Sequence, residues 1–500
     1  MTAYHKTLHI ILMGYLLTAI LSCTPHPKGH VVAGEGMPPI YPDYADITIP
    51  ANIAPLNFLV RGETDAVEVR AVCDDHTLCV NQTGNKVCFN RSEWHDLLQA
   101  AVGKNIDVTL SVRRSKPSGE KEWVRWTFTW QVVSDPVDPF LTYRLIEPDY
   151  EIWNHLSIEQ RCTENFETTD ICNYQHADNQ CMNCHTYAQQ NPQLSMLYVR
   201  GSQGGAMLNT NGQLRKLNIK TEDMVSGSVY FGFSPSGRYI TFSTNIIIPG
   251  FHSQARKRLE VYDSRSDVYV ADLHTNRIIS SPLTADSTTL ETFPTFSPDG
   301  KYIYYCAAKK VSLPQDIRHL QYSLIRIPFD EQTGTIGNRV DTIYPRATHQ
   351  ATAAHKTSVC HPRISPDGHY LLFTVQDYGT FPIWHPEADL RLLDLRTGAV
   401  DTLSLVNSQK SDTYHSWSSN SRWFVFASKR DDGLYGKPYF CYIDYHGKAH
   451  KPFVLPQKDP TMYDNTLKSY NAPELGRGPL PFTAKDIQRA MQQQGETFKP

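Results

Sequence analysis

The residues most able to do chemistry stand together at Cys181-Met182-Asn183-Cys184-His185, a C-x-x-C-H. Two thiols at this spacing on one turn meet the two vinyl groups of a haem, and the adjacent histidine falls beneath the iron as an axial ligand. The motif occurs once in 500 residues, so the expectation is one covalent haem c and not a multihaem wire. Two other chemistries use the same side chains. One is a disulfide between Cys181 and Cys184 beside an ordinary histidine. The other is zinc held by Cys162, Cys172, Cys181 and Cys184, whose first spacings of ten and nine are looser than paired knuckles. Under the haem reading, Cys162 and Cys172 are left to pair with each other. Iron bound to one histidine needs a sixth ligand or an open site, and that choice separates electron transfer from gas or peroxide chemistry. His361 and His415 are the leading candidates, while His176, Met196 and Met207 are near only in sequence.

Haem of this kind and disulfides both belong to exported proteins. The chain opens with His5 and Lys6, an apolar run from Leu8 to Leu21, and then Ile20-Leu21-Ser22-Cys23. The run's fourteen residues fall short of the roughly 20 that a spanning helix needs. The segment resembles a bacterial lipobox, which implies a signal peptide over 1–22, lipidation at Cys23 and a tether over 23–48. A plain secretory signal is the alternative, and either one places the mature chain outside the cytoplasm; the lipid anchor would hold it at the cell envelope, on the periplasmic side or the cell surface. Lys plus Arg total 48 against 51 Asp plus Glu, so no global field exists to hold nucleic acid. Cys306, Cys360 and Cys441 stand alone and are expected as buried, unpaired core residues.

The elements that position the motif read as all-β. Gly (28), Pro (32) and Tyr (27) are plentiful, and the apolar residues fall in short stretches. Residues 49–135 alternate with period two, as in Val124, Trp126, Phe128, Trp130 and Val132, and predict a small immunoglobulin-like β-sandwich with a helix from Ser92 to about Ala101. Residues 136–190 form a connector that carries the haem motif. From 191 to 460 one unit recurs: Phe296-Ser297-Pro298-Asp299-Gly300 and Ile364-Ser365-Pro366-Asp367-Gly368, with weaker copies at Phe233-Ser234-Pro235-Ser236-Gly237 and Trp417-Ser418-Ser419-Asn420-Ser421. Each copy is a strand, a tight turn and a second strand, because Pro presets the first turn angle and Gly accepts a positive one. This Ser-Pro-Asp-Gly strand pair is similar to the TolB-type β-propeller repeat. Five blades are visible, and a sixth can be completed from the connector and the C-terminal extension, 461–500, which ends in a short helix capped at Thr483. The fold is silent on chemistry, since propellers host binding, scaffolding and catalysis alike.

Aligning Pro192 with Pro366 shifts the repeat by 174 residues and lays Tyr187 over His361, with Tyr230, Phe293 and Tyr414 at the same place in other blades. Residues entering an innermost strand crowd one mouth of the central channel, so the haem is expected there, with His361 or His415 able to reach it. As a whole the chain resembles envelope lipoproteins of Bacteroidetes-type bacteria that join one C-x-x-C-H to such a propeller. The resemblance implies location and cofactor, a lipid-anchored protein with one haem c, and no reaction; the first expectation is a cytochrome that passes or stores single electrons, with the propeller docking an envelope redox protein. The alternative is a binding or scaffold module whose haem is structural or sensory. No catalytic grouping beyond the possible haem is apparent.

Overall fold

A computed structural model describes residues 25–27, 31–147, 155–254, 257–345 and 358–500, apart from the side chains at 183–184, 251–254 and 257–258. Cys23 and the proposed signal peptide lie outside the described residues. The chain divides into two compact units.

The first unit holds Pro55–Trp130, the described residues up to Asp46 and the short insert Lys458–Thr461. Its larger sheet runs through Val31–Ala33, Lys121–Val133, Asn105–Ser115, Ala66–Cys73 and His76–Thr83, and a smaller one joins Ile40–Tyr41, Phe58–Val60 and Lys86–Val87. The predicted alternation holds from Trp126 onward, with Trp126, Phe128 and Trp130 buried. The helix spans Arg91–Ala100 and starts at Asn90, whose side-chain oxygen accepts from the Ser92 and Glu93 amides. Its buried residues Trp94, Leu97 and Leu98 follow helical spacing, and Trp94 meets Trp130 edge-on at 5.3 Å between ring centroids. The segment expected as a tether is partly structured. Val31–Ala33 pairs in parallel with Trp123–Arg125, and a Cβ on Gly34 would stand 2.1 Å from the Trp126 ring.

Among the described residues the second unit is a β-propeller of six sheets. The innermost strands are β1 (Met182–Ala188), β2 (Ser228–Phe233), β3 (Thr289–Phe296), β4 (Ser358–Ile364), β5 (Asp412–Trp417) and β6 (Ser469–Gly476). Each touches the next, and β6 returns to β1, so the ring is closed. The connector is thus itself part of the ring. Phe140–Ile146, Leu156–Cys162 and Thr168–Asn173 are the outer three strands of the sixth blade, and β6 from the tail completes it beside Phe140–Ile146. This closure joins strands more than 300 residues apart in the chain.

The repeated turns explain the repeated sequence. The Ser297 hydroxyl donates to Asp299 at 2.6 Å and accepts from the Tyr302 amide at 3.0 Å, while Gly300 takes φ +72°. Ser365, Asp367, Tyr370 and Gly368 repeat this arrangement at 2.6 Å, 2.9 Å and φ +76°. Between blades the core is aromatic and aliphatic, including fully buried Tyr305, Tyr322 and Phe373. Cys306, Cys360 and Cys441 are buried there and free, as their isolation in sequence indicated. The tail helix, Ala484–Met491, begins with the expected cap: Thr483 and Asp486 hydrogen-bond reciprocally.

Deleting residues 469–500 removes β6 and bares the edge of Phe140–Ile146. The expected outcome is a chain that loses its cooperative thermal transition or aggregates; a melting curve superimposable on that of the full chain would show that the ring does not depend on this strand.

Candidate functional site

Every innermost strand carries one residue too many for its neighbour. The register slips at Asn183/His185, Val229/Gly232, Thr292/Thr295, Cys360/Arg363 and Thr413/His415, and in the sixth blade opposite Thr142/Arg144. A bulge bends the strand and re-aims a side chain. At these points Tyr230, Phe293, His361, Tyr414 and Ala472 adopt φ between 45° and 56°, left-handed backbone that bulky residues otherwise avoid. Four of the bulged rings meet each other. Centroids lie 4.3 Å apart for Tyr230 and Phe293, 4.0 Å for Phe293 and His361, and 4.6 Å for His361 and Tyr414.

The same register places Cys184, not Tyr187, at the bulge of the first blade. The expected correspondence was three residues off because the first hairpin of this blade is shorter. Ala188 pairs with Asn191 across a two-residue turn, Gln189 and Gln190, both at positive φ, where the other blades use the longer Ser-Pro-Asp-Gly turn. Tyr187 instead lies buried between blades, where its hydroxyl bonds Thr142 and its amide donates to Glu474 at 2.9 Å. In chain order around the ring the six bulge positions are Cys184, Tyr230, Phe293, His361, Tyr414 and Ala472, so Cys184 and His361 belong to opposite blades.

His361 is buried, and neither ring nitrogen has a hydrogen-bond partner. Burial, then His415 and Arg363, hold its pKa well below the usual imidazole range. His415, one residue past its own bulge, turns between blades and donates Nε2–H to the Leu372 carbonyl at 2.9 Å; burial lowers it to about 3. His185 occupies the equivalent place one residue past Cys184. Burial, then the Arg144 guanidinium, lower it to about 4 against the opposing Thr142 and Ala472 carbonyls, and its Nε2 has no hydrogen-bond partner. His176 is a turn residue whose Nδ1 accepts from the Asn173 amide, and Met196 and Met207 are buried in the hydrophobic core.

The donor types suit a haem c: two thiols and an imidazole with an uncommitted nitrogen. The backbone does not present them on one turn. Met182 to His185 run as strand, where three residues span about 10 Å against about 5 Å in a helical turn. Cys181 is buried in the core beside Cys172 and Met182. The anticipated pairing of Cys162 with Cys172 fails on register. Cys172 lies opposite Ile158, four residues and about 13 Å of strand from Cys162, beyond the roughly 7 Å a disulfide allows. Both are free thiols, and the four-cysteine zinc set has no support, since among the described residues no three His, Cys, Asp or Glu side chains gather at one ion position.

Sequence reasoning missed the acidic groups near the bulges. Asp263 and Glu291 are buried, and neither Asp263 oxygen nor Glu291 Oε2 has a hydrogen-bond partner. Burial pushes Asp263 up to about 7, offset in part by Asn245, and Glu291 up to about 8, offset in part by Thr289. The Tyr322 hydroxyl, also buried and unpartnered, feels both carboxylates. Glu291 precedes Phe293 by two residues, but Asp263 sits in an irregular hairpin with no repeat signature, so no sequence signal marked it.

No protein-family profile matches the chain, and no curated protein matches it. Among solved structures, an oligogalacturonate lyase in complex with manganese is similar over 63% of this chain and 73% of that one, at 13% identity and TM-score 0.34. The tricorn protease is similar over 80% of this chain and 43% of its own length, at 11% identity and TM-score 0.35. The Dos1 propeller is similar over 47% of this chain and 64% of its own, at 13% identity and TM-score 0.28. The lyase and the protease are enzymes, but likeness at this level carries no inference about chemistry here.

Because the folded-state values of Asp263 and Glu291 stand above the ordinary carboxylate range, the folded chain holds protons that the unfolded chain releases. Their contribution to stability is therefore full below about pH 4 and is lost as pH climbs through about 7 to 8. Asp263→Asn is expected to raise unfolding free energy at pH 9 by about 2 kcal/mol and to flatten its decline between pH 5 and 9. Denaturant unfolding across that range checks this, and an unchanged slope would contradict it.

Proposed function

We propose that this chain is a lipid-anchored monohaem c-type cytochrome of the bacterial envelope, built on a TolB-type propeller, that passes single electrons to an envelope redox partner. The observation that carries the reading is the C-x-x-C-H at 181–185 together with the uncommitted Nε2 of His185. Cys181 and Cys184 would bond the vinyl groups, and His185 would hold the iron. A bound haem c supplies a one-electron centre whose potential depends on its axial ligands and burial. The reading requires residues 181–185 to leave the strand and close into one turn.

His361 is the better sixth ligand. Its imidazole is neutral and uncommitted at the ring of bulges, whereas His415 Nε2 is engaged with a carbonyl. Anchoring through Cys23 and the envelope address, on the periplasmic side or the cell surface, belong to the same proposal. A second reading is favoured by one observation: His185 sits in the same inter-blade position as His415, a structural role. On that reading the propeller is a binding or scaffold module, and any haem is structural or sensory.

The test is expression of the full chain with haem-attachment machinery. The expected product is covalently coloured and low-spin, loses its retained colour in Cys184→Ala, and turns high-spin and carbon-monoxide-binding in His361→Ala while His415→Gln stays low-spin. A colourless parent overturns the cytochrome reading and leaves the binding module; a parent whose spectrum ignores His361→Ala removes that residue as ligand.

A further inference from the structure

The bulges give equivalent positions at the interfaces between blades. In blades two to five the last paired residue before the bulge of the innermost strand is Val229, Thr292, Cys360 or Thr413, and its partner on the second strand is Ser243, Cys306, Thr374 or Ala427. In two interfaces the second-strand residue of one blade meets the pre-bulge residue of the next. Ser243 Oγ lies 3.4 Å from Thr292 Oγ1 between blades two and three, and Thr374 Oγ1 lies 3.5 Å from Thr413 Oγ1 between blades four and five. The interface between those two, of blades three and four, has Cys306 and Cys360 at the same pair of positions.

The surroundings of the two thiols agree with that placement. Cys306 lies on Tyr302–Lys309 and Cys360 on β4, strands whose Cα atoms approach within 8 Å, against the roughly 7 Å that a disulfide spans. Both are fully buried in one cluster, and both are free. Burial, then Cys306, raise the Cys360 thiol well above its usual range. The polar contacts of Cys360 Sγ are long, 3.9 Å to the Thr374 carbonyl and 4.0 Å to Gln376 Oε1, so they hold the thiol loosely. A C–S bond is longer than a C–O bond, so sulfurs at these positions can reach nearer to each other than the hydroxyls of the flanking interfaces.

We propose that Cys306 and Cys360 form a disulfide site that staples blade three to blade four and is closed by a disulfide oxidant while the chain folds. The Cys306 thiolate attacks a low-molecular-weight disulfide such as oxidised glutathione, giving a mixed disulfide and releasing one thiolate. The Cys360 thiolate then attacks the Cys306 sulfur and releases the second. Two protein thiols are oxidised, and the oxidant is reduced to two thiols, which take up the two protons. Only the thiolate attacks, and burial suppresses it at both residues in the finished ring. The bond therefore closes before the blades shut, and the core then shields it. Export would supply such an oxidant, but neither the chemistry nor its test depends on export or on haem.

The test is to refold the reduced, unfolded full-length chain in oxidised and reduced glutathione, alkylate the remaining thiols in denaturant, and map the peptides by mass spectrometry. The expected product links the Cys306 peptide to the Cys360 peptide, and the chain folded before the oxidant is added gains that link at least 10-fold more slowly. The oxidised chain should melt about 5 °C above the reduced one. Cys306→Ser combined with Cys360→Thr, which copies the pair between blades two and three, should lose that difference. Recovery of Cys306 and Cys360 as alkylated thiols, or of each joined to some other cysteine, would overturn the proposal. The peptide map of the parent decides if the double variant does not fold.

Discussion

One surplus residue in each innermost strand governs the centre of the propeller. A bulge leaves that residue unpaired and forces left-handed backbone on Tyr230, Phe293, His361 and Tyr414, at a cost of about 1–3 kcal/mol each. Such strain persists only where the surroundings over-determine it. Here the ladders on either side resume register at once, and the neighbouring blades pack both faces. The consequence is that the rings of Tyr230, Phe293, His361 and Tyr414, each from a different blade, come together, which no single blade could achieve. The bulge also fixes what its neighbours do. The residue after it turns between blades, which is why His185 and His415 share one environment while His361 does not.

Closure of the ring imposes a second constraint. The sixth blade takes three strands from the chain ahead of the first and one from its end, so the C-x-x-C-H strand is flanked by the seam. Arg144, Thr142, Ala472 and Glu474, the groups that set the electrostatics around His185 and Tyr187, all come from the two strands that form that seam. The buried Thr244 and Ser266 hydroxyls, both Asp263 oxygens, Glu291 Oε2 and the Tyr322 hydroxyl have no hydrogen-bond partner among the described residues. Protein interiors rarely tolerate such groups without water, ions or ligands to satisfy them.

The all-β class, the recurrent strand pair and the helix cap at Thr483 were legible because each has a local cause: period-two burial, the Pro-Asp-Gly turn, and a side chain that satisfies free amides. The equivalence of Tyr230, Phe293, His361 and Tyr414 was legible for the same reason, since each stands four residues before its turn serine. Cys184 was not, because the first hairpin replaces that turn with Gln189-Gln190 and an alignment anchored on Pro192 slides by three residues. That the connector and the C-terminal extension could complete a sixth blade was legible, but its inner strand, Ser469–Gly476, was not, since it lacks the repeated turn and its partner lies more than 300 residues away. Asp263 carries no motif.

The central claim is that the motif at the first bulge binds haem through both sulfurs. Peptide mapping by mass spectrometry of the full chain, matured in cells that attach haem c, tests it at the atoms concerned. The account predicts that the peptide spanning residues 181–185 carries one haem bonded to Cys181 and Cys184. Recovery of that peptide with two free thiols, or with the two joined to each other, would contradict it.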